Sequence, residues 1–307
     1  MLDGAFDDAT IADILIKMAD RGETAEEIAG AATAMRQRMI AVFGAPENAI
    51  DVCGTGGDGQ HSLNVSTAVA LVVAACGVPM AKHGNRAASS KAGTADTLEQ
   101  LGVRLDRSAE ENATLLHDPG IAFFFAPQHH PALGAIAPIR KKLARRTIFN
   151  LLGPLCNPAN VQRQLIGVAH PDLVSLYCDA AQLLGFKHLM VVSGEEGLDE
   201  ISVAGPTRIS EIRGGERIDT QFAPEHLDLP RFALDELRGG DAVYNAAALR
   251  KLLLGEENAY RQAVLMNSAA ALMVAGEADS WENGYEEAKE TLDKGLANAL
   301  LDCWIAS

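Results

Sequence analysis

The chain is short of positive charge: 26 Lys and Arg stand against 41 Asp and Glu, giving a formal net charge of −15 over 307 residues. A general polyanion binder needs a basic face, so nucleic acid is not an expected partner. Cysteine is also sparse. Cys53, Cys76, Cys156, Cys178 and Cys303 form an odd, scattered set without a C-x-x-C pair, which reads as neither a disulfide framework nor a zinc site. Long hydrophobic runs are missing. The longest, residues 68–81, falls short of the roughly 20 residues of a membrane helix, and Gly77 and Pro79 break it. The first eight residues are acidic where a signal peptide would be basic. No membrane partner and a cytoplasmic location are the expectations. A hydrophobic content of 48% rules out wholesale disorder.

The first 43 residues have helical periodicity, with Ala12, Leu15, Ile16 and Met18 on one stripe. Thr24 and Glu27 form a capping-box signature for a second helix bearing Ile28, Ala31, Met35 and Met39. From residue 49 onward, strands alternate with helices. Strands are expected near 49–53, 78–81, 121–126, 164–168 and 188–192, with helices near 66–76, 94–101 and 173–184. That alternation predicts an α/β layer with a mainly parallel central sheet. Between Pro131 and Pro158 it lapses into helices near 136–143 and 146–152. These are expected to pack back on the N-terminal helices. The implied organisation is a small helical domain (1–46 plus 131–158) hinged to a larger α/β domain (47–130 plus 159–307). Towards the C-terminus a strand near 208–211 precedes helices at 242–254, 260–274 and 281–304.

The densest chemical signal is D-V-C-G-T-G-G-D-G at 51–59, followed by Ser62, Asn64, Ser66 and Thr67. Four glycines in six positions, between a strand and a helix, let the backbone approach a bulky ligand and form an anion nest. Ser66 and Thr67 fall at a helix N-terminus, where the dipole favours phosphate. There is no G-K-[ST], so this is not a Walker A loop. Lys82, Arg86 and Lys91 place three cations within ten residues, around Gly84. An acidic loop, G-E-E-G-L-D-E at 194–200, follows a strand, where α/β sheets bind ligands. Its oxygen donors suit Mg²⁺ shared with substrate phosphates. Of His129 and His130, one is expected to be a packed or lining residue, and Arg140 reads either as a surface ion pair or as a ligand contact. No nucleophile with an adjacent base stands out. Such a set fits transfer from a pyrophosphate-bearing donor, driven by positioning and charge stabilisation.

G-T-G-G-D at 54–58, N-V-S-T at 64–67, K-H-G-N-R at 82–86 and G-L-D-E at 197–200 together resemble the anthranilate phosphoribosyltransferase family. F-A-P-Q-H-H-P at 125–131, R-T-I-F-N-L-L-G-P-L at 146–155 and G-G-D-A at 239–242 extend the match in the same order. The resemblance implies a small helical domain hinged to a larger α/β domain of the nucleoside phosphorylase and phosphoribosyltransferase type, usually as a homodimer. It implies transfer of the phosphoribosyl group of 5-phosphoribosyl 1-pyrophosphate (PRPP) to the amino group of anthranilate, a step of tryptophan biosynthesis. By the same resemblance Gly54, Gly57, Asp58, Ser62, Asn64, Val65, Ser66 and Thr67 would hold PRPP. So would Lys82, His83, Gly84, Asn85, Arg86, Ala87, Ala88, Ser89, Ser90 and Thr94. Gly54, Asn85, His130, Arg140, Gly153 and Pro154 would contact anthranilate, with Arg140 facing its carboxylate. Ser66, Asp199 and Glu200 would hold Mg²⁺, two ions per active site.

Three features depart from the family's pattern. Asp51 lies closer to the start than is usual, so a helix or more that commonly serves the dimer contact is expected to be absent. Ser62 stands where Thr is common, and Ala144-Arg145 replaces a Gly-Ile type step. Two rival readings remain at this stage. A pyrimidine nucleoside phosphorylase would use phosphate and would not need Asp199 and Glu200. A non-catalytic nucleic-acid-binding relative would carry a basic surface and have no reason to keep Arg140.

Overall fold

In the computed structural model, residues 1–87 and 91–307 are described; Ala88, Ser89 and Ser90, assigned above to PRPP, lie outside the described residues. A seven-stranded sheet runs through the larger part of the molecule in the order β3-β2-β1-β4-β5-β6-β7. The strands are β1 (Ile50–Gly54), β2 (Met80–Gly84), β3 (Ile121–Phe125), β4 (Arg163–Gly167), β5 (His188–Gly194), β6 (Thr207–Arg213) and β7 (Glu216–Phe222). The first five in that order are parallel, and β6 and β7 add an antiparallel edge. The mainly parallel sheet expected from the alternation is therefore present.

Side-chain alternation along the strands divides the core. Leu165, Met190, Val192 and Ile209 pack into one hydrophobic cluster, while Ile166, Leu189, Val191 and Ile212 face another. Over the first face lie α3 (Val65–Ala75), α11 (Ala259–Ala275), α12 (Trp281–Asp293) and α13 (Leu296–Ala306). Helix α3 is buried on nearly every side, as expected of a helix apolar all round. Farther out, α4 (Thr94–Leu101) packs on α10 (Ala242–Leu253), which also meets α13, and α5 (Ala109–His117) packs on β3. The second face meets α9 (Leu173–Leu183), which packs against α2 (Ala25–Arg36).

The N-terminal helices form where the periodicity put them. Asp7 caps α1 (Asp8–Arg21), and Thr24 and Glu27 complete the capping box of α2. Short helices α6 (Ala126–His129), α7 (Ala137–Leu143) and α8 (Phe149–Leu152) follow β3. Helix α7 packs on α1, and α8 on α2, so the 131–158 stretch does return to the N-terminal helices.

Two expectations need correction, and two elements were missed. The segment 281–304 is not one helix: Gly295, at φ 71°, separates α12 from α13. The helix expected from 146 begins only at Phe149. Helix α5 was not anticipated, although its Ser108–Glu111 capping box is present in the sequence. Strand β7 also escaped detection, because its edge position leaves most of E-R-I-D-T-Q-F exposed and removes the apolar alternation.

Candidate active site

The strand order reverses at β1 and β4, which are neighbours although β2 and β3 lie on one side and β5 on the other. Ligands of open α/β sheets bind outside the carboxyl ends of the strands at such a switch point. Here those ends are Gly54 and Gly167. The Thr55 N–H donates to the Gly167 carbonyl (2.9 Å), continuing the β1–β4 ladder into the glycine loop.

Into this gap comes the acidic loop after β5. Asp199 Oδ2 accepts a hydrogen bond from the Gly56 N–H (2.8 Å), and Glu200 Oε1 accepts one from the Ser66 N–H at the start of α3 (3.2 Å). A Cβ on Gly54 would overlap the Asp199 carboxylate, and one on Gly167 would overlap the Asp199 carbonyl oxygen. Glycine at both strand ends is what admits the acidic loop. Gly167 carried no motif, and the sequence reading missed it.

Asp58 joins the two acids. Its Oδ1 accepts the Gln60 N–H (3.1 Å), while its buried Oδ2 has no hydrogen-bond partner. Burial, then the charge of Asp58, pushes the Asp199 carboxyl up to about 7. Burial, then Asp199, pushes Glu200 well above the usual carboxylate range. Three carboxylates of like charge with an unpartnered oxygen form an electrostatic deficit that a dication would relieve. Among the described residues no group of three or more His, Cys, Asp or Glu could hold a metal unaided. Mg²⁺ takes one or two carboxylates and completes its shell with water and substrate phosphates. An all-oxygen donor set of this kind fits Mg²⁺.

The basic residues are arranged differently from a simple phosphate patch. Lys82 is only 2% exposed, and its ammonium donates to the Val52 carbonyl (2.6 Å) beneath the glycine loop. Its charge offsets the burial of both Asp51 and Glu200. Arg86 pairs with Asp96 (2.8 Å) and Glu99 (3.0 Å) on α4. Asp96 Oδ2 also accepts the Ala87 and Gly93 N–H groups (3.1 and 2.9 Å), folding the loop after β2 back on α4. Gly93 is required there, since a Cβ would strike the backbone of Asn85, Arg86 and Ala87. Thr94 Oγ1 receives the Thr67 hydroxyl (3.2 Å), linking the two loops. The Asn64 carboxamide oxygen accepts from Thr97 (2.6 Å) and Asn245 (3.0 Å), so its side chain braces the glycine loop. Val65 is buried, and Ser62 bridges to Arg238. Gly57 adopts a positive φ of 79°.

On the other side of the β2 loop, His130 Nε2 lies 3.3 Å from His83 Nε2, with the rings edge-to-face. Burial pushes His130 down to about 4, and His83 well below the usual histidine range. Both imidazoles are thus neutral at pH 7, and one donates to the other. His129 instead turns away, Nδ1 to the Ile40 carbonyl (2.8 Å), against Phe124. Pro154 is buried and its carbonyl accepts from Gln164 (2.8 Å), while Gly153 is exposed beside it. Arg140 is half-buried over the Phe149 ring (5.6 Å) and makes no ion pair among the described residues. Burial lowers its pKa, a cost that an incoming carboxylate would offset.

Two family profiles match the chain. Residues 46–298 match "Glycosyl transferase family, a/b domain", and residues 1–39 match "Glycosyl transferase family, helical bundle domain". The chain is 62% identical to the anthranilate phosphoribosyltransferase of Novosphingobium aromaticivorans, covering 100% of the chain and 93% of that protein. It is 58% identical to that of Sphingopyxis alaskensis, covering 100% and 92%. Among solved structures, it superposes on anthranilate phosphoribosyltransferase from Thermus thermophilus with a TM-score of 0.94 at 40% identity, covering 99% and 91%. The Saccharomyces cerevisiae enzyme in complex with PRPP and Mg gives a TM-score of 0.90 at 28% identity, covering 99% and 88%.

Proposed function

Because the chain belongs to the anthranilate phosphoribosyltransferase family, we propose that it transfers the phosphoribosyl group of PRPP to the amino group of anthranilate, with Mg²⁺. N-(5-phosphoribosyl)-anthranilate and pyrophosphate are the products. The observation that carries the reading is the Asp58–Asp199–Glu200 cluster at the strand switch point, with its unpartnered Asp58 oxygen. The solved yeast complex with PRPP and Mg supports it. Bound Mg²⁺, two ions per site in this reading, would neutralise the departing pyrophosphate. The Gly56 N–H and the Ser66 N–H at the start of α3 hold the Asp199 and Glu200 carboxylates beside that position.

The ribosyl carbon then acquires oxocarbenium character, as in glycoside cleavage. Anthranilate attacks through an aniline nitrogen that is already unprotonated at neutral pH, so no base need prepare it. The C–N bond forms as the bond from the ribosyl carbon to the pyrophosphate oxygen breaks, and the nitrogen then loses one proton to water or to the departing pyrophosphate. Arg140 orients the acceptor carboxylate, and Asn85, His130, Gly153 and Pro154 line its path. In this reading residues 1–46 with 131–158 move as one unit against the rest of the chain. The enzyme is also read as a cytoplasmic homodimer without a nucleic-acid or membrane partner. Among the described residues no helix is long and apolar enough to cross a membrane.

Anthranilate should disappear only when PRPP and Mg²⁺ are both present. Absence of turnover at saturation, together with thymidine phosphorolysis, would overturn the assignment. Arg140→Ala should raise the KM for anthranilate by about 10- to 100-fold, the loss of a charge-assisted contact; an unchanged KM rejects that role.

A further inference from the structure

Asp51 is fully buried on β1, outside the donor, acceptor and metal sets described above. A carboxylate taken wholly out of water persists only if its lone pairs are used. Asp51 Oδ1 accepts the backbone N–H of His83 (3.1 Å). Its Oδ2 accepts from Asn157 Nδ2 (2.9 Å), Gln164 Nε2 (3.1 Å) and the Cys53 thiol (3.5 Å).

These partners come from both halves of the site. β1 and β2 are in register at Ile50↔Met80, whereas β1 and β4 pair along the whole of β1. Beyond that point the Asp51 carboxylate takes the His83 N–H in place of a strand carbonyl. Asn157 inserts between the two strands, its Nδ2 shared between Asp51 and the Ala81 carbonyl (2.8 Å). Gln164 Nε2 reaches from Asp51 to the Pro154 carbonyl (2.8 Å). His83 leads into the Gly84–Asn85 loop, whereas Pro154 and Asn157 belong to the segment that returns from the helical stretch.

We propose that Asp51 is a positioning residue that fixes the acceptor wall at Gly153–Pro154 against the donor loop at His83–Asn85. The inference rests on the transferase reading above, because it needs those two segments to hold the two substrates. The carboxylate is the common acceptor for groups from β1, β2, β4 and the returning segment. Its charge is what lets one oxygen serve two amides and a thiol at once.

The test is steady-state kinetics with each substrate varied, combined with melting temperature and hydrogen exchange of segments 80–87 and 153–160. Gln164→Met keeps the volume but releases the Pro154 carbonyl, and should raise the anthranilate KM about tenfold while the PRPP KM stays within about twofold. Asp51→Asn offers an amide to donors and should lower kcat/KM by about 10- to 100-fold, with faster exchange in both segments. Loss of melting temperature alone, with kinetic constants unchanged, overturns the proposal. So does an equal rise in both KM values for Gln164→Met. If the wild-type enzyme does not transfer phosphoribosyl at all, the transferase reading falls. Exchange then decides the link by itself: faster exchange in both segments of Asp51→Asn supports it, and a change in one or neither overturns it.

Discussion

A single methyl group at Gly167 would occupy the space of the Asp199 carbonyl oxygen, which is backbone and cannot swing aside. Gly167→Ala should therefore displace the acidic loop and abolish turnover; normal Mg²⁺-dependent activity in a folded variant would refute this. Asp199→Asn and Glu200→Gln should each cripple turnover and shrink the rise in melting temperature that Mg²⁺ gives the wild-type protein. Titration calorimetry with Mg²⁺ and PRPP checks the same point. His130 supplies a pH effect whose sign follows from its burial. Its folded pKa, about 4, lies below the ordinary 6.5, so the unfolded chain binds the extra proton first. This contribution is fully present above about pH 6.5 and is lost as pH falls towards 4, up to about 3 kcal/mol. Denaturant unfolding across that window should show a smaller loss of stability on acidification for His130→Gln than for the wild type.

Elements add their own local chemistry. Helix α7 ends at Ala144 in the left-handed region, φ 50° and ψ 33°, the C-terminal position that glycine usually fills. Ala144→Gly should stabilise the protein by about 1 kcal/mol through relief of that strain, seen as a higher denaturation midpoint. An unchanged or lower midpoint would place no strain there. The Gly-Ile step that the resemblance led one to look for at 144–145 has its physical counterpart in this cap. The neighbouring Arg145 pairs with Asp20 (2.5 Å) and Arg146 with the buried Glu23 (3.0 Å), tying α7–α8 to the α1–α2 turn. Periodicity revealed α1, α2, α4, α9 and α10 because each has one apolar stripe. It merged α12 with α13, since apolar residues continue past Gly295 and only the backbone turn there separates them.

At the scale of the whole molecule, three connections join the helical stretch to the sheet domain, and all are stitched together. Ile40 exchanges hydrogen bonds with His129 (2.8 Å each), and Val42 donates to Pro158 (2.9 Å). Phe43 near this junction is 84% exposed, and Phe6 and Ile40 are half exposed. In the proposed homodimer these side chains would supply apolar surface to the second copy. Sedimentation should give twice the 32.5 kDa chain mass, and Phe43→Glu should shift the balance towards monomer. A wild-type monomer at micromolar concentration would refute the homodimer.

The sheet type and a fit to a pyrophosphate-bearing donor were legible in the sequence alone, because glycine loops, caps and side-chain periodicity are local signals carried by neighbouring residues; the proposed reaction came from the order of family motifs. The glycine loop with Gly54 and the acidic loop 194–200 could be picked out from such local signals, whereas Asp199 and Glu200 were singled out within that loop by the family resemblance. Only the tertiary structure decided which of them meet. Sheet order brings β1 beside β4, so that Asp199 and Glu200 share one poorly solvated space beside Asp58, and burial with neighbouring negative charge raises the proton affinity of both. It also drew Lys82, a surface cation by composition, beneath the glycine loop as a buried counter-charge, and made Asp51, Asn157 and Gln164 into one network. None of these has a sequence period to announce it, since each depends on what another strand places opposite.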